Sequence, residues 1–345
     1  MAINTMEVLT QLCELPGPSG SEELVIKQAQ ELLEPYMDKT WVDALGNLIG
    51  VKKCGKQGAK RLLIDAHIDE IGFVVTEIEE GFLKFSALGG FDARLLPAAG
   101  VTVMAEPPLD GVVCVLPPHI LRPEDIARTT KIEDMYIDVG LSQAEAQRSI
   151  PIGTPGVLVS FTRTLGKDAV CSKALDNRAG FVAILSALEQ IKDITLNVDL
   201  YIMASVEHEV GVRGAGAGAN AIAPDYCIVV DTANAKTPDA TEDEAREKVG
   251  NGVIVARGPN MNRAFTDSIL QHAKEKQIKH QLKVLPSGMS NTSAREIQIS
   301  QTGVITAFIA IPLKYMHSAN EVVLFDDIDS TARLLSETIK AMKGA

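Results

Sequence analysis

An apolar segment early in the chain leads directly into a histidine and an aspartate. Residues 62–66 are mostly apolar, His67 follows them, and Asp69 comes two positions later. This run predicts a buried strand, and a side chain at the end of a central strand can point into the cleft where α/β enzymes place their chemistry. Asp69 can accept a hydrogen bond from one imidazole nitrogen of His67, which leaves the other nitrogen free to bind a metal ion.

Four more side chains of metal-binding types occur farther along the chain, close to predicted strands. They are Asp176 at the entry to a helix, Glu209 after one strand, Asp231 after another, and His317 in a loop. Together with His67 they make two histidines and three carboxylates. Such a set suffices for two adjacent zinc or cobalt ions if one carboxylate bridges them.

Each of these four residues also has an ordinary structural interpretation. Asp176 could cap a helix, Asp231 could occupy a turn, Glu209 could be solvated, and His317 could be hydrogen-bonded within its loop. Their joint occurrence near the ends of predicted strands favours one shared cleft, because unrelated polar residues would not be distributed in this way.

The elements that must position these residues alternate between strands and helices. We predict an α/β fold, a layered mixed sheet flanked by helices, because buried strands and amphipathic helices alternate along the chain. The strands are expected at 62–67, 199–206, 226–230, 253–256 and 303–309, and the helices at 6–13, 179–191, 261–276 and 328–342.

The middle of the chain has a different pattern. Between residues 71 and 162, short apolar runs are separated by Gly, Pro and Asp, which is typical of small β-structures. We therefore predict a separate β-rich domain at 71–162. It is inserted into a catalytic domain formed by residues 1–70 and 163–345.

Composition limits the classes of partner and the cellular compartment. The 345 residues carry a formal net charge of −12, which argues against nucleic acid or an anionic membrane surface as a partner. No apolar stretch is long enough to span a membrane, and the N-terminus lacks the pattern of a signal peptide. The five cysteines are scattered and odd in number, so a reduced, cytoplasmic protein is expected.

Several short motifs occur together and in a specific order. They are His67-x-Asp69-Glu70-Ile71-Gly72, Leu175-Asp176-Asn177-Arg178, Glu209-Val210-Gly211-x-Arg213-Gly214-Ala215, a strand-end Asp231, and Tyr315-x-His317-Ser318. This order resembles the tetrahedral aminopeptidase family of di-metal metallopeptidases, which includes glutamyl and deblocking aminopeptidases and relatives often labelled cellulases or endoglucanases. The resemblance covers essentially the whole chain, including the inserted domain.

The resemblance implies a role for each of the five residues of metal-binding type. His67 and Asp231 would hold one ion, Glu209 and His317 the other, and Asp176 would bridge both. A water between two ions can lose a proton and attack a polarised peptide carbonyl. The resemblance further implies peptide substrates and a homo-oligomer, in which the inserted domains form dimers and the dimers build a hollow dodecamer.

The chain departs from the family pattern at two places. His208 stands where the family carries the first of two adjacent glutamates, its general base. A neutral histidine can act as a base, with an ordinary pKa of about 6.5, although nearby cations lower its affinity for a proton. We therefore assign His208 and Asp69 as the catalytic residues. The second departure is the segment Ser290-Asn291-Thr292-Ser293-Ala294, where the family usually has Gly-Gly-Thr-Asp-Ala, so Ser293 replaces an aspartate.

Three other interpretations compete with a peptidase. Because His208 replaces the glutamate, the chain could be a metal-binding homologue with weak or no peptidase activity. Glycan hydrolysis is the third choice. It usually requires two carboxylates that flank a sugar bond, and nothing in the sequence points to such a pair apart from the expected metal ligands. The glycine-rich residues 214–219 partly match a dinucleotide motif, but the polar residues 207–213 separate them from the preceding strand. We interpret residues 214–219 as a closely packed helix.

Overall fold

A mixed eight-stranded sheet forms the centre of the larger of two units. The computed structural model describes residues 3–117, 119–120, 130–241, 246–285 and 292–343. Numbered along the chain, the strands of this sheet are β1 (Lys39–Val42), β2 (Leu48–Lys52), β3 (Arg61–His67), β12 (Asp199–Ser205), β13 (Tyr226–Asn234), β14 (Val253–Arg257), β15 (His280–Val284) and β16 (Ile305–Leu313).

Four neighbouring strands run parallel and therefore end at the same edge. The order across the sheet is β1-β2-β12-β3-β13-β16-β14-β15, with β12, β3, β13 and β16 parallel to one another. The apolar residues at the middle of β3 are fully buried, since both faces of the sheet are covered. His67 pairs with Ser205 of β12, so residues that end these strands lie side by side.

The smaller unit is a closed β-barrel that follows β3 directly. Its strands are β4 (Gly72–Glu79), β5 (Phe82–Leu88), β6 (Gly100–Val103), β7 (Leu109–Cys114), β8 (Tyr136–Asp138) and β9 (Pro155–Leu158). The short helix α3 (Gln143–Ser149) lies beside β4. The barrel has its own apolar core, which includes Phe73, Val101 and Ile137. The predicted inserted β-rich unit is thus confirmed.

Helices cover the two faces of the large sheet. One face carries α1 (Thr5–Cys13), α2 (Glu23–Leu33), α4 (Leu175–Ile191), α6 (Arg263–Glu275) and α8 (Phe325–Ala341), and the other carries α5 (Arg213–Ile222) and the one-turn α7 (Ala294–Ile297). Gly214 and Gly218 of α5 lie so close to Asn47 and Met203 that a Cβ atom would collide. The glycine-rich segment is therefore a packing helix, and the predicted layered α/β fold is confirmed.

The structure differs from the predicted elements in a few places. β13 continues past residue 230 to Asn234, so Asp231 lies inside a strand, paired with Ala310 of β16. A separate three-stranded sheet, β10 (Arg163–Leu165), β11 (Ala169–Ser172) and β17 (Glu321–Leu324), was not predicted. Its strands are too short for a period-2 pattern to identify them.

All five cysteines are unpaired thiols. No helix within the described ranges has both the length and the apolar character that a membrane crossing requires.

Candidate active site

The five residues of metal-binding type meet at the carboxyl edge of the parallel strands. His67 ends β3, and Asp231 lies in the neighbouring strand β13. Glu209 is in the loop after β12, and Asp176 stands at the start of α4 with a non-helical backbone. His317 is in the loop between β16 and β17. All five side chains were therefore brought together by the folding of separate chain segments.

Asp176 lies between the two histidines. Its Oδ1 is 3.4 Å from Nε2 of His67 and its Oδ2 is 3.5 Å from Nε2 of His317. Nε2 of His67 is also 3.6 Å from Oδ1 of Asp231, and Nε2 of His317 is 3.4 Å from Oε2 of Glu209. Each oxygen of Asp176 thus belongs to a different group of three ligand atoms.

These separations fit ligands of a common ion better than they fit hydrogen bonds. An N–H···O hydrogen bond spans about 2.7–3.2 Å, whereas two ligands about 2.1 Å from one tetrahedral ion lie roughly 3.4 Å apart. Nε2 of His67 is buried and has no hydrogen-bond partner among the described residues. The donor set therefore fits divalent metal ions bound beside Asp176.

Asp69 orients His67 by contacting Nδ1, the imidazole nitrogen that faces away from the other candidate ligands. Nδ1 of His67 is 3.3 Å from the backbone oxygen of Asp69 and 3.4 Å from its Oδ1. Oδ2 of Asp69 accepts hydrogen bonds from the hydroxyl of Ser19 at 2.6 Å and from the amide of Glu209 at 3.0 Å. Because Asp69 engages Nδ1, Nε2 of His67 remains available to the site.

His317 is oriented by a residue of the barrel. Its Nδ1 lies 2.9 Å from the carbonyl oxygen of Gly90, in the segment after β5. A carbonyl can only accept, so Nδ1 carries the proton and Nε2 faces the carboxylates. A Cβ atom at Gly90 would lie 3.2 Å from Nδ1 of His317, so this close approach favours glycine.

Glu321 connects the backbones of two candidate ligands and was missed by the sequence analysis. Its carboxylate accepts the amide of His317 at 2.8 Å on Oε1 and the amide of Asp176 at 3.0 Å on Oε2. Glu321 is only 2% exposed, although it belongs to a strand that is otherwise apolar. The sequence signal that could have identified Glu321 is a single acidic residue in an apolar strand, four positions after His317.

Without bound cations, protons on the two histidines balance the negative charge of the site's carboxylates. Burial lowers the pKa of His67, but Asp176, Asp231 and Asp69 together raise it well above its usual range. Burial likewise lowers the pKa of His317. The carboxylates of Asp176 and Glu209 outweigh the effect of burial and raise the pKa to about 11. A cation that enters this site must therefore displace these protons.

His208 stands at the rim of the site and stacks on His67. The two ring centroids are 3.9 Å apart and the planes differ by 12°. Nδ1 of His208 lies 3.3 Å from the hydroxyl oxygen of Ser293. Burial, and then the neighbouring His67, lower the pKa of His208, so its neutral form is favoured.

An open cleft of about 450 Å³ gives access to this cluster. Four of the five candidate ligands line it, together with His208, Thr292, Arg295 and Met316; the four are Asp176, Glu209, Asp231 and His317. A cleft of this size admits one or a few residues of an extended substrate. Most of its lining residues belong to the large sheet unit, and Gly90 belongs to the barrel segment after β5.

The fold and the site together define a hydrolase with a histidine–carboxylate cluster at the carboxyl edge of a mixed sheet. The chain belongs to the M42 glutamyl aminopeptidase family, whose family model matches residues 46–334. It is accordingly a hydrolase of the aminopeptidase type, and the family is one of metallopeptidases.

Known relatives match along nearly the full chain. The lysyl aminopeptidase of Pyrococcus furiosus is 33% identical over 98% of this chain and 97% of its own. The TET aminopeptidase structure from a marine-sediment Thaumarchaeota archaeon has a TM-score of 0.93 and 32% identity, covering 98% of this chain and 96% of its own. The Pyrococcus horikoshii TET1 peptidase, which assembles into a tetrahedron or an octahedral shell, has a TM-score of 0.85 and 29% identity, covering 98% and 100%. The resemblance to tetrahedral aminopeptidases is thus confirmed.

Proposed function

We propose that this protein is a di-metal aminopeptidase that removes N-terminal residues from peptides. One observation carries the proposal: the two oxygens of Asp176 face two different histidines, at 3.4 and 3.5 Å. A carboxylate shared in this way is the arrangement that two ions about 3.5–4 Å apart require.

The residues divide into two ligand sets around Asp176. His67 and Asp231 would hold one ion, and His317 and Glu209 the other, in keeping with their distances from the two Asp176 oxygens. Mixed imidazole and carboxylate ligands suit zinc or cobalt. When bound, such ions polarise a peptide carbonyl and make a nearby water more acidic.

His208 is the side chain we assign as the general base. As the water oxygen bonds to the carbonyl carbon, the second nitrogen of His208 accepts the water's proton. When the carbon–nitrogen bond breaks, His208 returns a proton to the leaving amine. Asp69 contributes by keeping His67 in one orientation beside the stacked His208 ring.

We also propose that the protein forms a homo-oligomer through its barrel. Large apolar side chains are exposed on this unit, with Leu116 at 65%, Val112 at 41% and Phe82 at 38% exposure. Apolar groups gathered on one unit are typical of an interaction surface. The tetrahedron or octahedral shell of the TET1 relative and the dodecamer of a second TET1 structure support an assembly in which dimers build a dodecamer.

Turnover of aminoacyl-p-nitroanilides, measured after chelation and after addition of zinc or cobalt, tests the proposed activity. We expect the activity to disappear with chelation and to return with the metal. A protein that binds two ions but cleaves none of these substrates would instead be a metal-binding homologue without peptidase activity. Cello-oligosaccharides in parallel reactions test the glycan-hydrolase alternative, and cleavage of these would overturn the peptidase assignment.

A further inference from the structure

The turn before α2 lies directly against the candidate site. Within it, Gly17 forms two hydrogen bonds with Glu70. The amide of Glu70 donates to the carbonyl of Gly17 at 3.0 Å, and the amide of Gly17 donates to Oε1 of Glu70 at 3.1 Å. The hydroxyl of Ser19 contacts Oδ2 of Asp69 at 2.6 Å. Asp69 and Glu70 follow His67 closely in the chain, so this turn has a fixed position relative to the site.

Glu22 ends this turn and is a buried acidic residue. It is only 6% exposed, and glutamate is rarely buried unless partners hold its carboxyl group. Glu22 occupies the N-cap position of α2, yet its side chain makes no capping hydrogen bond. Its Oε1 instead accepts the amide of Gly20 at 2.8 Å and the amide of Glu207 at 3.1 Å. Helix capping therefore does not explain this side chain, and its distant partner is the loop after β12.

The loop after β12 is anchored on both sides of His208. Glu207 precedes His208 and has a φ of 53°, in the left-handed region, which residues other than glycine occupy only where surrounding contacts fix them. On the other side, the amide of Glu209 donates to Oδ2 of Asp69 at 3.0 Å. The two amides that flank His208 are thus bonded to carboxyl groups of other segments. Because an amide can only donate, the direction of both hydrogen bonds is fixed whatever the protonation of the side chains.

We infer that Glu22 is a positioning residue that holds the backbone of Glu207 and thereby sets where the imidazole of His208 lies in the site. The inference rests on the proposed function, in which His208 is the general base. Glu22 is not among the residues that line the cleft, so it acts through Glu207 and not on the substrate. A displacement of about 1 Å in a catalytic group can lower a rate about 100-fold, so an anchor one residue away from the base controls kcat.

Kinetics of three variants test this positioning role. Glu22→Met keeps the length of the side chain and removes both oxygens. It should lower kcat about 10–100-fold, the usual cost of losing a group that orients a functional side chain, while KM changes less than about twofold. Glu22→Gln keeps an acceptor for the Glu207 amide and should keep most of the wild-type kcat. Asp327→Leu is the matched control, because Asp327 is also buried and accepts two amides, those of Gly250 and Gly252. This variant should keep the wild-type kcat.

Hydrogen exchange measured by mass spectrometry provides a readout that does not depend on turnover. In zinc-loaded protein, peptides that cover residues 206–211 should exchange faster in Glu22→Met than in the wild type, and at the wild-type rate in Glu22→Gln. Peptides from α4 are the internal reference and should exchange alike in all three proteins. Unchanged exchange over 206–211 in Glu22→Met, or an equal increase in α4, would overturn the inference.

The two measurements separate the failure of this inference from the failure of the proposed function. Absence of peptide turnover in the wild type and in every variant would overturn the proposed function, and hydrogen exchange would still decide whether Glu22 holds the loop. Faster exchange over 206–211 with kcat unaltered would overturn the positioning role and leave the peptidase assignment standing. An equal loss of kcat in Glu22→Gln and Glu22→Met would show that the charge of Glu22 acts, and not its hydrogen bond, and would also overturn the inference.

Discussion

His208 and Ser293 lie in the two segments at which this chain departs from the expected family motifs, and they contact each other at 3.3 Å. They come from separate segments, one in the loop after β12 and the other directly before α7. The two departures therefore form a single local change at the rim of the site. Where the family pattern has two acidic groups, this chain has an imidazole paired with a hydroxyl.

Removing the imidazole of His208 should abolish most catalysis while leaving the ions in place. We expect His208→Ala to lower kcat by about 10²–10⁴-fold, the usual contribution of a well-placed general base. Steady-state kinetics and elemental analysis of the same samples measure both effects. His208, His67 and Asp231 are close enough to share an ion, so loss of metal in this variant would identify His208 as a ligand instead.

Asp176 and Asp231 should differ in how many ions they retain. Among the residues that the structure describes, Asp176 alone faces both histidines. Asp176→Asn should therefore reduce the metal content from about two ions per chain, as in two-metal hydrolases, to less than one. Asp231→Asn should remove only the ion on the His67 side. Elemental analysis after gel filtration gives both values. Equal ion contents in the two variants would contradict the bridging role of Asp176.

Glu321 should control metal affinity although it is not a candidate ligand. Glu321→Gln has one carbonyl oxygen for two amides, so either Asp176 or His317 loses its backbone anchor. We expect metal affinity to fall about 10–100-fold, measured by competition with a chromogenic chelator. Asp327 is the matched control, since it is also buried and accepts two amides, those of Gly250 and Gly252. Asp327→Asn should weaken folding and leave metal affinity unchanged.

Glu22 should make the stability of the protein depend on pH. Burial raises the pKa of Glu22 from 4.5 to about 7. Hydrogen bonds from two backbone amides oppose this shift, and the negative charge of Asp69 adds to it. The folded state then binds the proton more tightly than the unfolded state, so this residue's contribution to stability is lost as pH rises from 4.5 to 7. The loss should be roughly 1–3 kcal/mol.

The comparison of wild type with Glu22→Gln isolates this contribution. The amide keeps an acceptor for Gly20 and Glu207, whose amides both bond to Oε1 of Glu22, but it cannot ionise. Calorimetric melting temperatures should agree at pH 4.5 and diverge at pH 8, with the variant higher. Parallel pH profiles for the two proteins would show that Glu22 ionises normally in the folded state.

Charge on the exposed apolar surface of the barrel should reduce the size of the assembly. Leu116 is 65% exposed and Val112 is 41% exposed, so Leu116→Glu with Val112→Glu should not disturb the barrel core. Sedimentation velocity should show smaller species than the wild type. Leu24→Glu, at a 51% exposed position of α2, is the control and should leave the assembly unchanged. The same sedimentation coefficient for all three proteins would exclude this surface as the interface.

The long apolar elements could be predicted from the sequence. The buried strand at 62–67 and the helices at 179–191 and 328–342 correspond to β3, α4 and α8, because long periodic patterns carry a strong signal. β11 and β17 could not be predicted. They have four residues each and depend on pairing between Ser172 and Glu321, which lie far apart in the chain.

The candidate ligands could be proposed from motifs, but the residues that orient them could not. Glu321 acts on two backbone amides that approach each other only after folding. Gly90 contributes only a carbonyl oxygen, which any residue carries. In each case the function depends on a tertiary contact without a local pattern.

The hydrogen bond between Gly90 and His317 links two parts of the molecule thermodynamically. His317 belongs to the large sheet unit, and the carbonyl that sets its tautomer belongs to the barrel. If subunits associate through the barrel, contacts that shift the segment after β5 change the affinity of the neighbouring ion. By reciprocity, the ion changes the affinity between subunits by the same factor. Dilution of the protein and removal of metal should therefore favour the same dissociated, ion-poor state.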